Sequence, residues 1–352
     1  AGGPSRKSLA GRSHIVVRVS IKDIAQAAEV NPGTVSRALR DSPRVHPETR
    51  ERIQRLAEKM GYSPDAQARS LVMGRTQTIG VVVTTLTDPF VGSVVQIIES
   101  TAHEHGYTVI LTSSNDIPER EIAAAEMLQS RRVDGVIVTS SRVGSLYQGR
   151  LERLHVPVVL INNRAEHSGR STFSIRIDNH HGGHLATEHL IGKGHRRIAY
   201  VTSPADRSDD LERMAGYRDA QEEAGLDFDP ALVVQGTGRA GGGQRALPLL
   251  LALADPATAV FCYNDMTAIG LMDAAWKAGL SLPQDLAVVG FDDIAFARYS
   301  YPSLTTIAQP MAALGEGAMK TVLALLSDDE HRRPSVPDQL IPGRLIVRAS
   351  SG

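Results

Sequence analysis

The chain has one cysteine, Cys262, so an internal disulfide and a cysteine zinc site are both ruled out. A run of about 18 apolar residues, the length a membrane span needs, is also missing. The longest apolar stretches, such as Ile79–Val83, are the size of a strand. Arg6, Lys7 and Arg12 near the N-terminus are not followed by an apolar segment, so they do not read as a secretion signal and the expected address is the cytoplasm. Walker A, G-x-S-x-G and H-E-x-x-H motifs are absent, as are paired catalytic carboxylates. An enzyme is therefore not expected, and neither is a metal or a cofactor. What remains is a chain of 352 residues, 42% hydrophobic and 22% charged, ordinary for a globular protein of two or three domains with real cores.

The net charge of −1 hides an asymmetry. Residues 1–75 carry 14 basic and 7 acidic side chains, against 24 basic and 32 acidic in the rest. A cationic head on an acidic body points to a polyanion-binding module on a separate domain; a solvated basic tail without a partner is the alternative. From Val19 the head reads VSIKDIAQAAEVNPGTVSRAL. Ser20 is a good N-cap with Asp23 in the first turn, and Ile24, Ala27 and Ala28 give an apolar face. Asn31-Pro32 then pairs a cap residue with a proline at the first helical position, so a second helix starts at once, with Val35, Ala38 and Leu39 on its inner face. Pro47–Met60 is a third, longer amphipathic helix on Ile53, Leu56 and Ala57, stopped by Gly61.

Two short helices this close describe a helix-turn-helix whose second helix lies in the major groove of double-stranded DNA. Thr34 and Ser36 suit phosphate oxygens, and Arg37 can fork onto guanine. Pro32 and Gly33 lead this helix, and Gly33 cannot read a base, so direct readout leans on Arg37.

The segments Ile21–Ala28 and Thr34–Leu39, with Thr49-Arg50, Gly61-Tyr62 and Pro64, resemble the headpiece of the lactose-repressor (LacI/GalR) family. Asp65–Leu71 resembles that family's hinge helix, which pairs with its partner in the minor groove. The resemblance implies operator contacts from Ser20, Tyr62 and Ala68, with Leu71 as the wedge that opens the central base step. Asp65 stands where the family usually has asparagine.

After Thr78, β-branched runs alternate with helical stretches: 78–84, 107–113, 133–139 and 156–162, then 196–202, 231–236, 257–265 and 286–293. Two such sets predict an α/β core of two doubly wound parallel-sheet subdomains, with a ligand bound at the strand ends between them. Those ends carry Asp88, Phe90, Ser140, Asn162, Asn264 and Asp292; Arg213 follows on a helix, and Gln309 follows what reads as a turn, Pro302–Ile307. Carboxylates, amides and a guanidinium that take adjacent hydroxyls, beside an aromatic that covers an apolar face, suit a carbohydrate or another polyhydroxylated effector. The runs around Asn264, Asp292 and Gln309 resemble the effector domain shared by this family and periplasmic sugar-binding proteins. Family contacts fall on Asn162, Arg213, Asn264, Asp292 and Gln309.

The resulting expectation is a flexible basic tail at 1–18, a headpiece at 19–63, a hinge helix and linker at 64–77, and an effector-binding and dimerisation core at 78–352. The core's N-subdomain is expected over 78–163 and 308–335, and its C-subdomain over 164–307 and 336–352. The resemblance implies a repressor that binds a near-palindromic operator as a homodimer under control of a sugar-like effector. No leucine-heptad run follows Leu345–Arg348, which favours a dimer over a tetramer. A sugar-binding protein without DNA binding is the rival reading, and an enzyme built on the G-x-G-x-x-G at Gly236–Gly241 a third. That glycine run reads better as a loop. The histidines 180, 181, 184 and 189 have no obvious third ligand, and Trp276 reads as helix packing.

Overall fold

The computed structural model describes residues 19–62, 74–139, 151, 154–163, 172–204, 207–327 and 338–352. They form two compact units that divide between Thr76 and Gln77. The expected tail at 1–18 lies outside the described residues, as does most of the expected hinge, including Ala68 and Leu71.

The first unit is built from α1 (Ile21–Ala27), α2 (Pro32–Ala38) and α3 (Pro47–Lys59). Ser20 and Asp23 form a reciprocal capping box at α1, with Ser20 N–H donating to Asp23 Oδ2 at 2.7 Å. Asn31 Oδ1 accepts from Gly33 N–H at 2.8 Å and Pro32 occupies the first turn of α2, so one orphan donor is satisfied and another is absent, without any tertiary contact. Between the two helices Glu29 takes φ +54°, which turns the chain. Ile24, Ala25, Ala28, Val35, Ala38, Val45, Ile53 and Ala57 make the core. The inner face of α1 is one residue away from the expected set: Ala25 is buried and Ala27 is exposed.

The second unit contains two six-stranded sheets. The first is wholly parallel, in the order β11-β5-β4-β3-β1-β2. Its strands are β1 (Thr78–Val83), β2 (Thr108–Ser113), β3 (Gly135–Thr139), β4 (Val158–Ile161), β5 (Thr172–Ile177) and β11 (Asp338–Ile341). The second runs β12-β10-β9-β8-β6-β7, parallel except for its edge strand β12. It uses β6 (Ile198–Val201), β7 (Val233–Val234), β8 (Ala259–Cys262), β9 (Ala287–Asp292), β10 (Thr305–Ala308) and β12 (Arg344–Ile346). The helices are α4 (Pro89–Glu104), α5 (Pro118–Ser130), α6 (Asn179–Gly192), α7 (Ser208–Glu223), α8 (Ala240–Leu251), α9 (Asp265–Lys277), α10 (Ala295–Tyr299) and α11 (Met311–Leu326). Among the described residues no helix is long and apolar enough to cross a membrane.

The subdomain boundaries expected at 164 and 336 are corrected by the strand pairing. Both β5 and β11 extend the first sheet, so that half of the core runs to Ile177 and regains the chain from α11 to Ile341. Arg176 hides β5 from a hydropathy reading. Its charge is met by Asp338 on the neighbouring β11, at 2.9 Å, and by Glu212 at 3.2 Å. The chain crosses between the halves at Asp178, at Gln309-Pro310 and at Pro342-Gly343. These crossings pack together: Asp178 N–H donates to Ile341 O at 2.9 Å, and a Cβ on Gly343 would press on Ile177 and Ile307.

Two helix pairs brace the second half backbone to backbone. A Cβ on Gly183 of α6 would overlap the Arg213 carbonyl of α7, and one on Gly216 would overlap the His180 carbonyl. Gly243 of α8 meets Thr267 of α9 in the same way, and Gly270 meets Ala240. The glycine-rich stretch is therefore a packing device, with Gly236 seated against the Thr202 carbonyl. The clustered histidines are similarly occupied, His180 with Asp219 at 2.6 Å and His184 with Glu223 at 2.8 Å. Trp276 is 73% exposed, contrary to the packing role expected of it. Its helix buries Leu271, Met272 and Ala275 and turns residue 276 outward.

Candidate functional site

The headpiece presents α2 with its polar side exposed. Val35 and Ala38 anchor it in the core, which leaves Pro32 and Arg37 in solvent and Gly33, Thr34 and Ser36 partly so. The Arg37 guanidinium lies back over the start of the helix, with Nη2 3.4 Å from Thr34 Oγ1, and a Cβ on Gly33 would lie 3.6 Å from Nη1. The missing side chain of Gly33 leaves the room Arg37 uses. Ser36 Oγ accepts from Arg40 Nη2 at 3.2 Å. Arg40 is a further exposed cation on this face that the sequence reading passed over, although it stands three residues after Arg37. Ser20 is exposed at the start of α1, whereas Tyr62 packs partly against the core.

In the second unit a cavity of ≈ 390 Å³ opens between the two halves at the C-terminal ends of their strands. Asp88, Phe90, Asn162, Arg213, Asn264, Asp292 and Gln309 all line it; Ser140 lies outside the described residues. Asp88 caps α4, accepting from Phe90 N–H at 2.9 Å, and burial pushes its carboxyl above the usual range. Asn162, at φ +54° just after β4, accepts from Ile177 N–H at 3.1 Å and donates to Gln309 Oε1 at 2.8 Å. Gln309 Nε2 in turn donates to Asp292 Oδ1 at 2.6 Å. This chain of amides fixes the floor of the cavity beside the crossings. Asn264 is largely taken up in capping α9 and in a 3.0 Å bond to Gly238 O.

Arg213 is 2% exposed. It donates from Nε to Asn179 Oδ1 at 2.9 Å and from Nη1 to Tyr263 O at 2.6 Å, and its guanidinium stacks 3.6 Å from the Phe291 ring centre. Its Nη2 and the Oδ2 of Asp292 have no hydrogen-bond partner among the described residues. Both residues line the cavity, so one donor and one acceptor keep spare hydrogen-bonding capacity at its wall for a ligand that supplies the complement. Burial pushes Asp292 well above its ordinary value, against the pull of Arg213.

Among the lining residues missed from sequence are Arg207, Asp209 and Tyr263. Asp209 accepts from Arg207 Nε at 3.1 Å and from Tyr263 Oη at 2.6 Å. Burial would raise its pKa, but the charges of Arg207 and Arg213 with the phenol bond outweigh it and hold the carboxyl to about 2. The signal was available, since Arg207–Asp210 follows the C-terminal end of β6 as the other lining residues follow theirs.

A helix-turn-helix unit joined to a two-sheet clamshell with a polar interdomain cavity defines a ligand-controlled DNA-binding regulator. Residues 20–65 match the model of the lacI family of bacterial regulatory proteins, and 187–351 match a periplasmic binding protein-like domain. The HTH-type transcriptional repressor PurR of Vibrio campbellii is 35% identical over 316 residues, covering 89% of this chain and 94% of its own. A lac repressor dimer bound to operator and the anti-inducer ONPF superposes with a TM-score of 0.84 at 26% identity, covering 95% of this chain and 99% of that one. The transcriptional regulator CelR in complex with cellobiose gives 0.71 at 29% identity, covering 95% and 100%. The chain belongs to the LacI family. It is a DNA-binding transcriptional repressor with a ligand-binding domain, and not an enzyme.

Proposed function

We propose that the protein binds a near-palindromic operator as a homodimer and that a sugar or sugar derivative in the interdomain cavity sets its operator affinity. Each α2 enters the major groove of a half-site, with Arg37 reading a base and Thr34 and Ser36 near phosphates. Ala68 and Leu71 are assigned to the minor groove at the centre of the site. Work on operator DNA assigns the protein to the cytoplasm.

The observation that carries the effector assignment is the spare hydrogen-bonding capacity of Arg213 Nη2 and Asp292 Oδ2, on two residues that line one cavity. A polyhydroxylated ligand offers both an acceptor and a donor to such a pair. Phe90, Tyr263 and Met266 supply apolar surface for the carbon face of a sugar. The cellobiose complex of CelR is in keeping with that class of ligand. Phe296, Tyr299 and Tyr301 stand 57%, 83% and 97% exposed around α10. An aromatic patch of this kind on the core is the surface expected of a self-interface.

The test is a thermal-shift screen of mono- and disaccharides followed by calorimetry, on the wild type and Asp292→Asn. At least one sugar is expected to stabilise the wild type and to bind the variant at least tenfold more weakly. Equal binding by the two proteins would remove the cavity from the account.

A further inference from the structure

Arg207 does more than line the cavity. It sits immediately before α7 in the second half of the core, yet its Nη1 reaches Asp116 Oδ1 of the first half at 3.4 Å. The other edge of the guanidinium is held by Asp209 on its own side, from Nε at 3.1 Å and Nη2 at 3.4 Å. One rigid fork thus bridges two carboxylates that belong to different halves.

Its place in the two sheets gives this bridge leverage. Asp116 follows β2, the edge strand of the first sheet, and β5 and β11, which lead into the crossings, lie at the opposite edge. Four strand spacings separate β2 from β5, roughly 19 Å at about 4.8 Å each. Arg207 follows β6, which stands three strands from the crossing strand β10 in its own sheet. The other ion pair that joins the halves among the described residues, Arg176–Glu212 at 3.2 Å, lies two residues from the crossing at Asp178. A contact beside a hinge changes little in length when the hinge opens, whereas one at the far edge is parted first.

We propose that the Arg207–Asp116 ion pair is a closure latch: it draws the two halves together at the cavity mouth and sets the fraction of closed cleft. The pair is partly exposed, at 13% and 29% of the side chains, so it holds with modest strength and can be released. An effector that adds contacts to both halves raises the closed fraction further. The latch rests on the reading of this cavity as the effector site, but it acts in the ligand-free protein and is tested there.

The experiment is single-molecule energy transfer on the full chain. Dyes are placed on Arg120→Cys and Arg245→Cys, both exposed and one in each half, while Cys262 is buried and escapes labelling. Asp116→Asn leaves Arg207 paired with Asp209, so no buried charge is orphaned and the fold is kept. At low salt the closed-to-open ratio is expected to fall roughly 2- to 5-fold in Asp116→Asn and to recover in Asp116→Glu. Molar salt should bring the wild type to the Asp116→Asn ratio and leave the variant unmoved. The latch is overturned if Asp116→Asn and the wild type coincide at low salt, or if both respond equally to salt. None of these readings uses a sugar, so a failed sugar screen would leave them intact, and a failed latch would leave the sugar assignment standing.

Discussion

The headpiece and the core keep their working groups in opposite states. On the headpiece Arg37 is exposed, on a helix held by a handful of small apolar residues and its own caps. In the core Arg213, Asp209 and Asp292 are buried and tied to one another and to Asn179, Gln309 and Tyr263. A DNA phosphate surface brings its own charge and counterions, so the reader can wait in solvent. A small ligand brings little binding energy, so its site is organised in advance. Function and stability are therefore separable in the headpiece and entangled in the core.

The sharpest way to break this contrast is a matched pair of arginine truncations. Arg213→Ala is expected to cost the core about 3–5 kcal/mol in urea unfolding, because it strips Asn179 Oδ1 and the Tyr263 carbonyl of a charged donor inside the core. Arg37→Ala should leave stability within about 0.5 kcal/mol while removing about 1–3 kcal/mol of discrimination at one base position. Similar losses of stability in both variants would erase the distinction.

A matched pair of glycine substitutions comes next. Gly183→Ala forces a methyl group into the Arg213 carbonyl and should cost about 1–3 kcal/mol, together with ligand affinity, because that carbonyl belongs to the binding arginine. A Cβ on Gly33 meets no backbone, only the side chains of Asn31 at 3.2 Å and Arg37 at 3.6 Å. Alanine is the better helix former, so headpiece stability should rise by no more than about 1 kcal/mol. The added methyl should crowd Arg37 and blur its base preference, as a selection from random duplexes would register.

A further test of the contrast is a pH slope in the core. Asp265 accepts from Thr306 Oγ1 at 2.6 Å and from Ile294 N–H at 2.9 Å, and burial lifts its pKa to about 7. The folded form holds this proton more tightly than the unfolded chain does. Its contribution is complete below about pH 3.8 and declines as pH rises toward 7. Asp209, held to about 2, acts in the opposite sense, stabilising above about pH 3.8 and losing that contribution as pH falls through 2. Urea midpoints measured from pH 4 to pH 7 should therefore decline less steeply in Asp265→Asn than in the wild type. Parallel slopes would mean that Asp265 titrates normally.

The same contrast explains what could be read in advance. The headpiece is governed by local chemistry: Ser20, Asn31, Pro32 and Gly61 fix its helix ends within a few residues of sequence, and the structure places them there. The eight apolar runs of the core were equally plain, because strands in the middle of a covered parallel sheet are buried on both faces and need no alternation, and the exposed edge strand β2 keeps its β-branched and apolar residues all the same. What escaped depends on partners distant in sequence. Arg176 makes β5 look like a loop until Asp338 is placed beside it, 162 residues on. Thr305 and Thr306 of β10 are buried because Ser350 and Asp265 bond them. In the cavity, residues at strand ends were legible because the fold dictates where strands point. Arg207 and Asp209 looked like an ordinary charged helix start, and only Tyr263 and Asp116, brought in from elsewhere, give them a role.

The central claim is that occupancy of the core cavity is felt at the DNA. It is tested most directly by the operator affinity of the full chain, measured on a duplex selected from a random pool, with and without the sugar found in the thermal screen. The account expects the affinity to change by roughly 5- to 150-fold, and expects the change to vanish in Asp292→Asn while the sugar-free affinity is kept. Operator affinity that stays the same at saturating sugar in the wild type would contradict it.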